Sequence, residues 1–287
     1  MKLSYYPGCS LEGTAIDYDM SVRNICAELD IELVEIDDWN CCGASSAHIT
    51  SHETGMRLPI RNLLLAGGQH LDILVPCAAC FQRLKAADKA LREDAAFWDV
   101  RNYTPDFEIL HISSFLARPE ILSRISEKVK LDLQELPIAC YYGCLSLRNP
   151  RITDAENWEM PENLERIVSA IGARPVRWSH RTECCSGSLT MTRPDIAEKL
   201  VADIVTAARR AGATSMVTDC PMCQANVESR QHVGAEEKPM TVYYATELIE
   251  AALTGSYLQS RQKSHLVSAS SLAEVMADRV PAKEDSV

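Results

Sequence analysis

The 287-residue sequence predicts an α/β protein built from two pseudosymmetric repeats, each a small parallel β-sheet flanked by helices, with cysteines at the carboxyl ends of the strands. Three observations predict it. A cysteine pattern occurs twice, and strand-like and helix-like periodicities alternate in the same order around each copy. The composition, 46% hydrophobic and 24% charged, is that of a globular chain long enough for two cores.

The elements follow in order. "KLSYYP" alternates as a short strand, and "AIDYDMSVRNICAELD" places Ile16, Met20, Val22, Ile25 and Leu29 near a helical period before the strand-like "IELVEI". "SHETGMRLPIRNLLLAGG" opens with residues suited to a helix N-terminus and stops at Gly67-Gly68, with Pro59 expected to kink or shorten it. "LDILVP" is a further strand, and a Cys-x-x-Cys opens the next helix. In the second half "LPIACYY", "ENLERIVSAIG", "ARPVRW", "RPDIAEKLVADIVTAARRAG", "TSMVTD" and "PMCQANVESR" repeat that order. Each half ends as strand then helix, in "FEILHISSFLARP" and "MTVYYATELIEAAL". Residues 1–130 are read as the first domain, 131–258 as the second and 259–287 as a polar tail, whose end "VPAKEDSV" reads as a flexible or partner-docking segment.

Charge and targeting narrow the function. With 29 basic and 40 acidic residues the net charge is −11, which argues against a nucleic-acid surface and against general attraction to anionic membranes. No apolar run is long enough to span a bilayer, and "MKLSYYPGCSLEG" lacks a signal-peptide core, so a cytoplasmic protein is expected. In a reducing compartment, twelve cysteines point to metal or redox chemistry rather than to disulfides.

The cysteines are strictly patterned. Cys9, Cys41-Cys42 and Cys77-x-x-Cys80 recur as Cys144, Cys184-Cys185 and Cys220-x-x-Cys223, with 31 and 39 residues before the doublets and 34 after each. A helix of about 15 residues spans roughly 22 Å and a strand of about six roughly 20 Å. A helix followed by a strand therefore returns the chain to its starting edge. All five thiols of each half should meet at the carboxyl rim of its sheet, where open α/β folds hold ligands. Zinc would take four of them and leave one spare. A thiol-disulfide relay suits Cys-x-x-Cys at a helix start but not the doublets. An iron-sulfur cluster accommodates surplus and adjacent thiolates.

This pattern resembles the duplicated CCG domain of the heterodisulfide reductase B-type (HdrB) family, over most of residues 1–255. The resemblance implies two noncubane four-iron four-sulfur clusters, one on Cys9, Cys41, Cys42, Cys77 and Cys80, the other on Cys144, Cys184, Cys185, Cys220 and Cys223. It implies cleavage or formation of disulfide-type or sulfane sulfur bonds, with the first set assigned the cluster-borne chemistry. The implied partners are the ferredoxin-like C-type and flavin-containing A-type components of a heterodisulfide-reductase-like complex, and a disulfide or sulfur-carrier substrate. Two other readings stand beside it: a CCG electron-transfer component of a dehydrogenase or quinone reductase, and a zinc-stapled binding module; zinc in one half is the alternative cofactor. Gly43 follows the first doublet as the family pattern requires, whereas Ser186 precedes Gly187 after the second, a departure that bears on the second cluster's geometry.

Other residues have plainer readings. His48 is a proton-donor candidate beside the first doublet, with a capping or surface role as the alternative, and His52 shares that reading. His111 reads as a hydrogen-bonded core histidine, Cys26 and Cys140 as buried inert thiols, and the pairs Tyr5-Tyr6 and Tyr141-Tyr142 as packing residues. Arg83, Lys85, Arg148, Arg151 and Arg181 lie close in sequence to the cysteines and are read as surface charge or as cations near an anionic centre.

Overall fold

The computed structural model describes residues 1–44, 46–133, 136–231, 238–256, 265–268 and 272–273. The segment "VPAKEDSV" and most of 259–287 lie outside the described residues. The first half runs β1 (Lys2–Tyr5), α1 (Cys9–Glu12), α2 (Ile16–Glu28), β2 (Glu32–Glu35), α3 (Ala47–Thr50), α4 (His52–Gly67), β3 (Ile73–Val75), α5 (Ala78–Asp94), β4 (Ile109–His111), α6 (Ile112–Leu116) and α7 (Pro119–Lys128). The second runs β5 (Pro137–Cys140), α8 (Pro150–Thr153), α9 (Asn163–Ala170), β6 (Arg174–Pro175), α10 (Pro194–Arg210), β7 (Ser215–Thr218), α11 (Pro221–Ser229), β8 (Thr241–Tyr244) and α12 (Ala245–Thr254).

Each half forms a four-stranded parallel sheet, ordered β2-β1-β3-β4 and β6-β5-β7-β8, so the predicted fold class is observed twice. Register repeats with it: Ser4 pairs with Ile73 and Ile73 with Ile109, as Ile138 pairs with Ser215 and Ser215 with Thr241. β3, β7 and β8 are buried throughout, as expected for parallel strands covered on both faces. The edge strand β6 spans only Arg174–Pro175 of the expected "ARPVRW"; the Arg174 and Val176 N–H groups donate to the Leu136 and Ile138 carbonyls at 3.1 and 2.8 Å, and Pro175 lies between them facing the open edge, where its missing N–H is tolerated.

Helix boundaries follow their caps and apolar stripes. α2 buries Tyr18, Val22, Ile25 and Cys26 on one face, and α10 buries Ala197, Val201, Ile204, Val205 and Ala208 behind Pro194 in its first turn. In α4 the Ser51 hydroxyl accepts the Thr54 N–H at 3.2 Å, and the helix runs its full length through Pro59 rather than stopping there.

The halves exchange their last helices. α12 packs on α2 of the first half, while α6 and α7 pack on α9, the second-half counterpart of α2. One apolar core consequently contains residues of both halves. At its centre the rings of Tyr18 and Tyr244 stack at 4.0 Å, and the Tyr18 hydroxyl lies 3.1 Å from the Pro76 carbonyl and 3.2 Å from that of Asp219. Those two carbonyls immediately precede Cys77 and Cys220. Ser21–Thr246 (2.6 Å) and Asn24–Glu250 (2.7 Å) hydrogen bonds extend the same contact.

Candidate metal centres

Three loops carry each set of thiols to the carboxyl rim of its sheet. Cys9 follows β1, the Cys41-Cys42 doublet follows β2, and Cys77 caps α5 directly after β3, with Cys80 one turn on. Cys144, Cys184-Cys185 and Cys220 with Cys223 stand in the same relation to β5, β6 and α11. Sulfurs far apart in sequence meet in pairs: Cys9–Cys41 at 3.5 Å, Cys42–Cys80 at 3.3 Å, Cys144–Cys184 at 3.6 Å and Cys185–Cys223 at 3.5 Å. All twelve cysteines are free thiols.

The scaffold around the thiols is duplicated too, in residues that the cysteine spacing does not single out. Gly8 and Gly143 adopt φ of +73° and +64°, and a Cβ at either would sit 2.8 Å from the sulfur of Cys80 or Cys223. Only glycine lets the backbone approach that sulfur so closely. The Tyr6 hydroxyl donates to the Asn40 carbonyl at 2.7 Å, and that of Tyr141 to the Glu183 carbonyl at 2.8 Å, each gripping the residue just before a doublet. Packing alone therefore does not describe these tyrosines. Their equivalence is Tyr6 with Tyr141, three residues before Cys9 and Cys144, rather than pair with pair. Burial, with thiols close by, raises the pKa of both hydroxyls and keeps them as donors.

Protons are shared unequally within each set. A thiol hydrogen bond from Cys41, and another from Cys80, pushes Cys42 below the ordinary thiol range, and one from Cys80 does the same for Cys77. Cys144 lowers Cys184, and Cys223 lowers Cys185. Thiolate character is what a soft metal requires. Sulfurs held at about 2.3 Å around a tetrahedral ion lie about 3.8 Å apart, so four thiols of a set could enclose one ion, and the fifth would have no place in it. A core of several irons has room for all five, and Gly8 and Gly143 let the backbone pack closely against the buried last sulfur of each set.

The remaining candidates separate by position. His48 is exposed, with Nδ1 3.4 Å from the Gly43 carbonyl, and His52 is exposed beside Trp98. His111 is buried at the junction of the halves, its Nδ1 3.0 Å from Ser113 Oγ and 3.5 Å from buried Asp219. Cys26 and Cys140 lie in the core, and burial pushes the Cys26 thiol up to about 12. Lys85 pairs with Asp154 at 2.5 Å and Arg181 with Glu165 at 3.2 Å, while Arg151 is exposed. Arg83 lowers Cys42 and Arg148 lowers Cys184, which brings these two cations within reach of the thiol sets.

Two hollows adjoin the sets. A cavity of about 570 Å³ between the halves touches all five thiols of the second set and, across from them, Ala78, Ala79, His48, Gln82 and Arg83. A groove of about 470 Å³ beside Cys9 and Cys41 is lined by Glu12, Glu35, Asp37 and Asp38. Among the described residues no helix is long and apolar enough to cross a membrane.

Comparison with known proteins agrees with this duplication. The chain is 30% identical over 263 residues to the 8-methylmenaquinol:fumarate reductase membrane anchor subunit of Wolinella succinogenes, covering 88% of this chain and 92% of that one. It is 24% identical over 266 residues to the B subunit of the ferredoxin/F(420)H(2)-dependent CoB-CoM heterodisulfide reductase of Methanosarcina acetivorans, covering 88% of each. A hypothetical protein from Helicobacter pylori shares the fold, with a TM-score of 0.65 at 8% identity, over 93% of this chain and 52% of the other. The cysteine-rich (CCG) domain family matches at residues 3–85 and again at 138–228, the two stretches that deliver the thiols. A chain that repeats the unit in sequence, in sheet order and in thiol placement thus belongs to the cysteine-rich CCG domain family, in duplicated form, and is homologous to proteins named as the B subunit of heterodisulfide reductase.

Proposed function

We propose that this protein is the iron-sulfur catalytic component of a heterodisulfide-reductase-like complex. In this reading it holds two four-iron four-sulfur clusters of noncubane type, on Cys9, Cys41, Cys42, Cys77 and Cys80 and on Cys144, Cys184, Cys185, Cys220 and Cys223. The observation that carries the reading is the meeting of free thiols at the rim of each of two sheets, with a cavity between the halves that touches the second set. When bound, the clusters would supply single electrons and iron sites with affinity for sulfur. The chain's own part is to hold the thiolates, to keep the two sets at fixed separation through the Tyr18 contact, and to bring a proton donor to the cavity, where His48 stands. The overall reaction balances as RS–SR′ plus two electrons and two protons giving RSH and R′SH, or its reverse. The electrons pass to or from the ferredoxin-like C-type and flavin-containing A-type components. In this reading the protein works in the cytoplasm, where reducing conditions keep thiols available as metal ligands.

The 30% identity to a quinol:fumarate reductase component favours a second reading, an electron-transfer protein of a quinone-linked or other dehydrogenase complex. Anaerobic reconstitution with iron and sulfide, followed by metal analysis and electron paramagnetic resonance with and without added thiol, separates the two. The catalytic reading expects about eight irons per chain and a signal that changes on thiol addition. Iron with no response to thiol or disulfide supports the electron carrier. One metal per half with no visible absorption indicates zinc.

A further inference from the structure

We propose that Asp17, Glu247 and His265 form a site for a divalent transition-metal ion, apart from the ten patterned thiols, and that the ion staples residues 265–268 to both halves. The proposal does not depend on the catalytic reading above. One donor atom from each of the three side chains lies within 4.8 Å of the other two. They come from three places in the chain: Asp17 from the first turn of α2 in the first half, Glu247 from the first turn of α12 in the second, and His265 from the segment beyond α12. Asp17 is 9% exposed, His265 8% and Glu247 0%, so an ion here would sit beneath the surface on ligands already withdrawn from water.

The imidazole is arranged as a ligand. Its Nδ1 faces Glu228 Oε1 at 2.8 Å, and Glu228 is fully engaged, since it also accepts the Val242 and Leu266 N–H groups at 3.0 and 2.9 Å. A carboxylate that accepts from Nδ1 fixes the ring and raises the basicity of Nε2, the arrangement that stands behind metal-bound histidines. Nε2 in turn lies 3.2 Å from Glu247 Oε1, while the other oxygen of Glu247 accepts the Tyr244 N–H at 2.8 Å. Two donors each about 2.1 Å from a tetrahedral ion stand about 3.4 Å apart, so this pair is already spaced as ligands. Asp17 supplies the third donor. Among the described residues no side chain hydrogen-bonds to its carboxylate, and burial, with Glu247 beside it, raises its pKa. Three buried carboxylates, Asp17, Glu228 and Glu247, thus share one imidazole, and a divalent cation offsets the surplus negative charge. One nitrogen and two carboxylate oxygens suit Mn²⁺, Fe²⁺ or Zn²⁺, whereas Ca²⁺ and Mg²⁺ favour oxygen alone and softer ions favour sulfur.

The test titrates full-length, iron-reconstituted protein with Mn²⁺, which favours nitrogen and oxygen over thiolate, and follows the six-line paramagnetic signal of the free ion at room temperature. One ion per chain is expected to bind, with a proton released from His265, and the thermal midpoint should rise with Mn²⁺ concentration. Asp17→Asn and His265→Gln should abolish binding at concentrations that saturate the parent, and Glu228→Gln, which removes only the positioning of the ring, should weaken it by about 10- to 100-fold. Asp17→Asn breaks no side-chain hydrogen bond among the described residues, so it keeps the test decisive where His265→Gln fails to fold. Cys42→Ser, Cys185→Ser and the exposed Glu120→Gln should bind Mn²⁺ as the parent does. No bound Mn²⁺, unchanged binding in Asp17→Asn, or binding lost in the cysteine variants but kept in Asp17→Asn would each overturn the inference while leaving the catalytic reading intact. Protein that takes up no iron would overturn the catalytic reading and leave this one standing.

Discussion

Ser186 shows what one side chain costs at such a site. It occupies the left-handed region at φ +56°, where Gly43 sits at +76° in the first half. For a residue with a Cβ that conformation costs about 1–2 kcal/mol. The hydroxyl donates to the Cys185 carbonyl at 2.6 Å, which offsets part of it, and the backbone N–H reaches Cys184 Sγ at 3.2 Å much as the Gly43 N–H reaches Cys41 Sγ at 3.4 Å. The departure from the CCG pattern thus changes the energy of the turn and keeps its shape. Ser186→Gly should raise thermal stability by about 1 kcal/mol with iron binding unaltered. Gly143→Ala should do the reverse, because its Cβ would lie 2.8 Å from Cys223 Sγ; metal analysis should find the second half's iron lost and the first half's kept. The ten patterned cysteines were legible because spacing alone brings them together. Tyr6 and Tyr141 were not, since a tyrosine's apolar ring explains its burial and the partner of its hydroxyl lies 34 or 42 residues away. Aligning the halves on Cys9 and Cys144 would have exposed both the tyrosine at minus three and the glycine at minus one.

Among the elements, α11 has the most demanding task. Its first turn carries Cys220 and Cys223, and near its other end Glu228 accepts hydrogen bonds from His265 Nδ1 at 2.8 Å, Val242 N–H at 3.0 Å and Leu266 N–H at 2.9 Å. His265 Nε2 also lies 3.2 Å from Glu247 Oε1 on α12, and Asp17 of α2 faces the same cluster. Burial alone would lower the imidazole pKa, but the Glu228 and Glu247 carboxylates outweigh it and lift it to about 10. A folded-state pKa above the unfolded value of about 6.5 gives stability that is fully present below pH 6.5 and is lost as pH rises through 10. Thermal melts across that window should show His265→Gln with less pH dependence than the parent, and less stable at neutral pH by about 3 kcal/mol. The polar composition of 259–287 gives no sign of this contact, because the partners of His265 sit 37 and 18 residues earlier on separate helices. Helices with unbroken apolar stripes, such as α10, were legible throughout. β6 is short because only the Arg174 and Val176 N–H groups reach across to β5, and the alternating pattern of "ARPVRW" does not show where an edge strand leaves its neighbour.

For the whole molecule, strand and helix alternation specified two sheets, but it could not reveal that each half covers the other's α2-type helix. Periodicity says which face of a helix is apolar and is silent about which neighbour hides it. The shared core predicts one cooperative unfolding transition in calorimetry rather than two. Tyr18→Ala, which removes a stacked ring and a hydroxyl placed against both halves, should destabilise that single transition by about 3–5 kcal/mol. Cys42→Ser should lower the iron content of reconstituted protein by about half, with the second half's spectrum unchanged.

The Tyr18 hydroxyl, wedged against the peptide oxygens ahead of both Cys-x-x-Cys turns, has one further consequence. A keystone so placed resists a clamshell swing of the two lobes, so that a disturbance at one of these turns is passed to its twin.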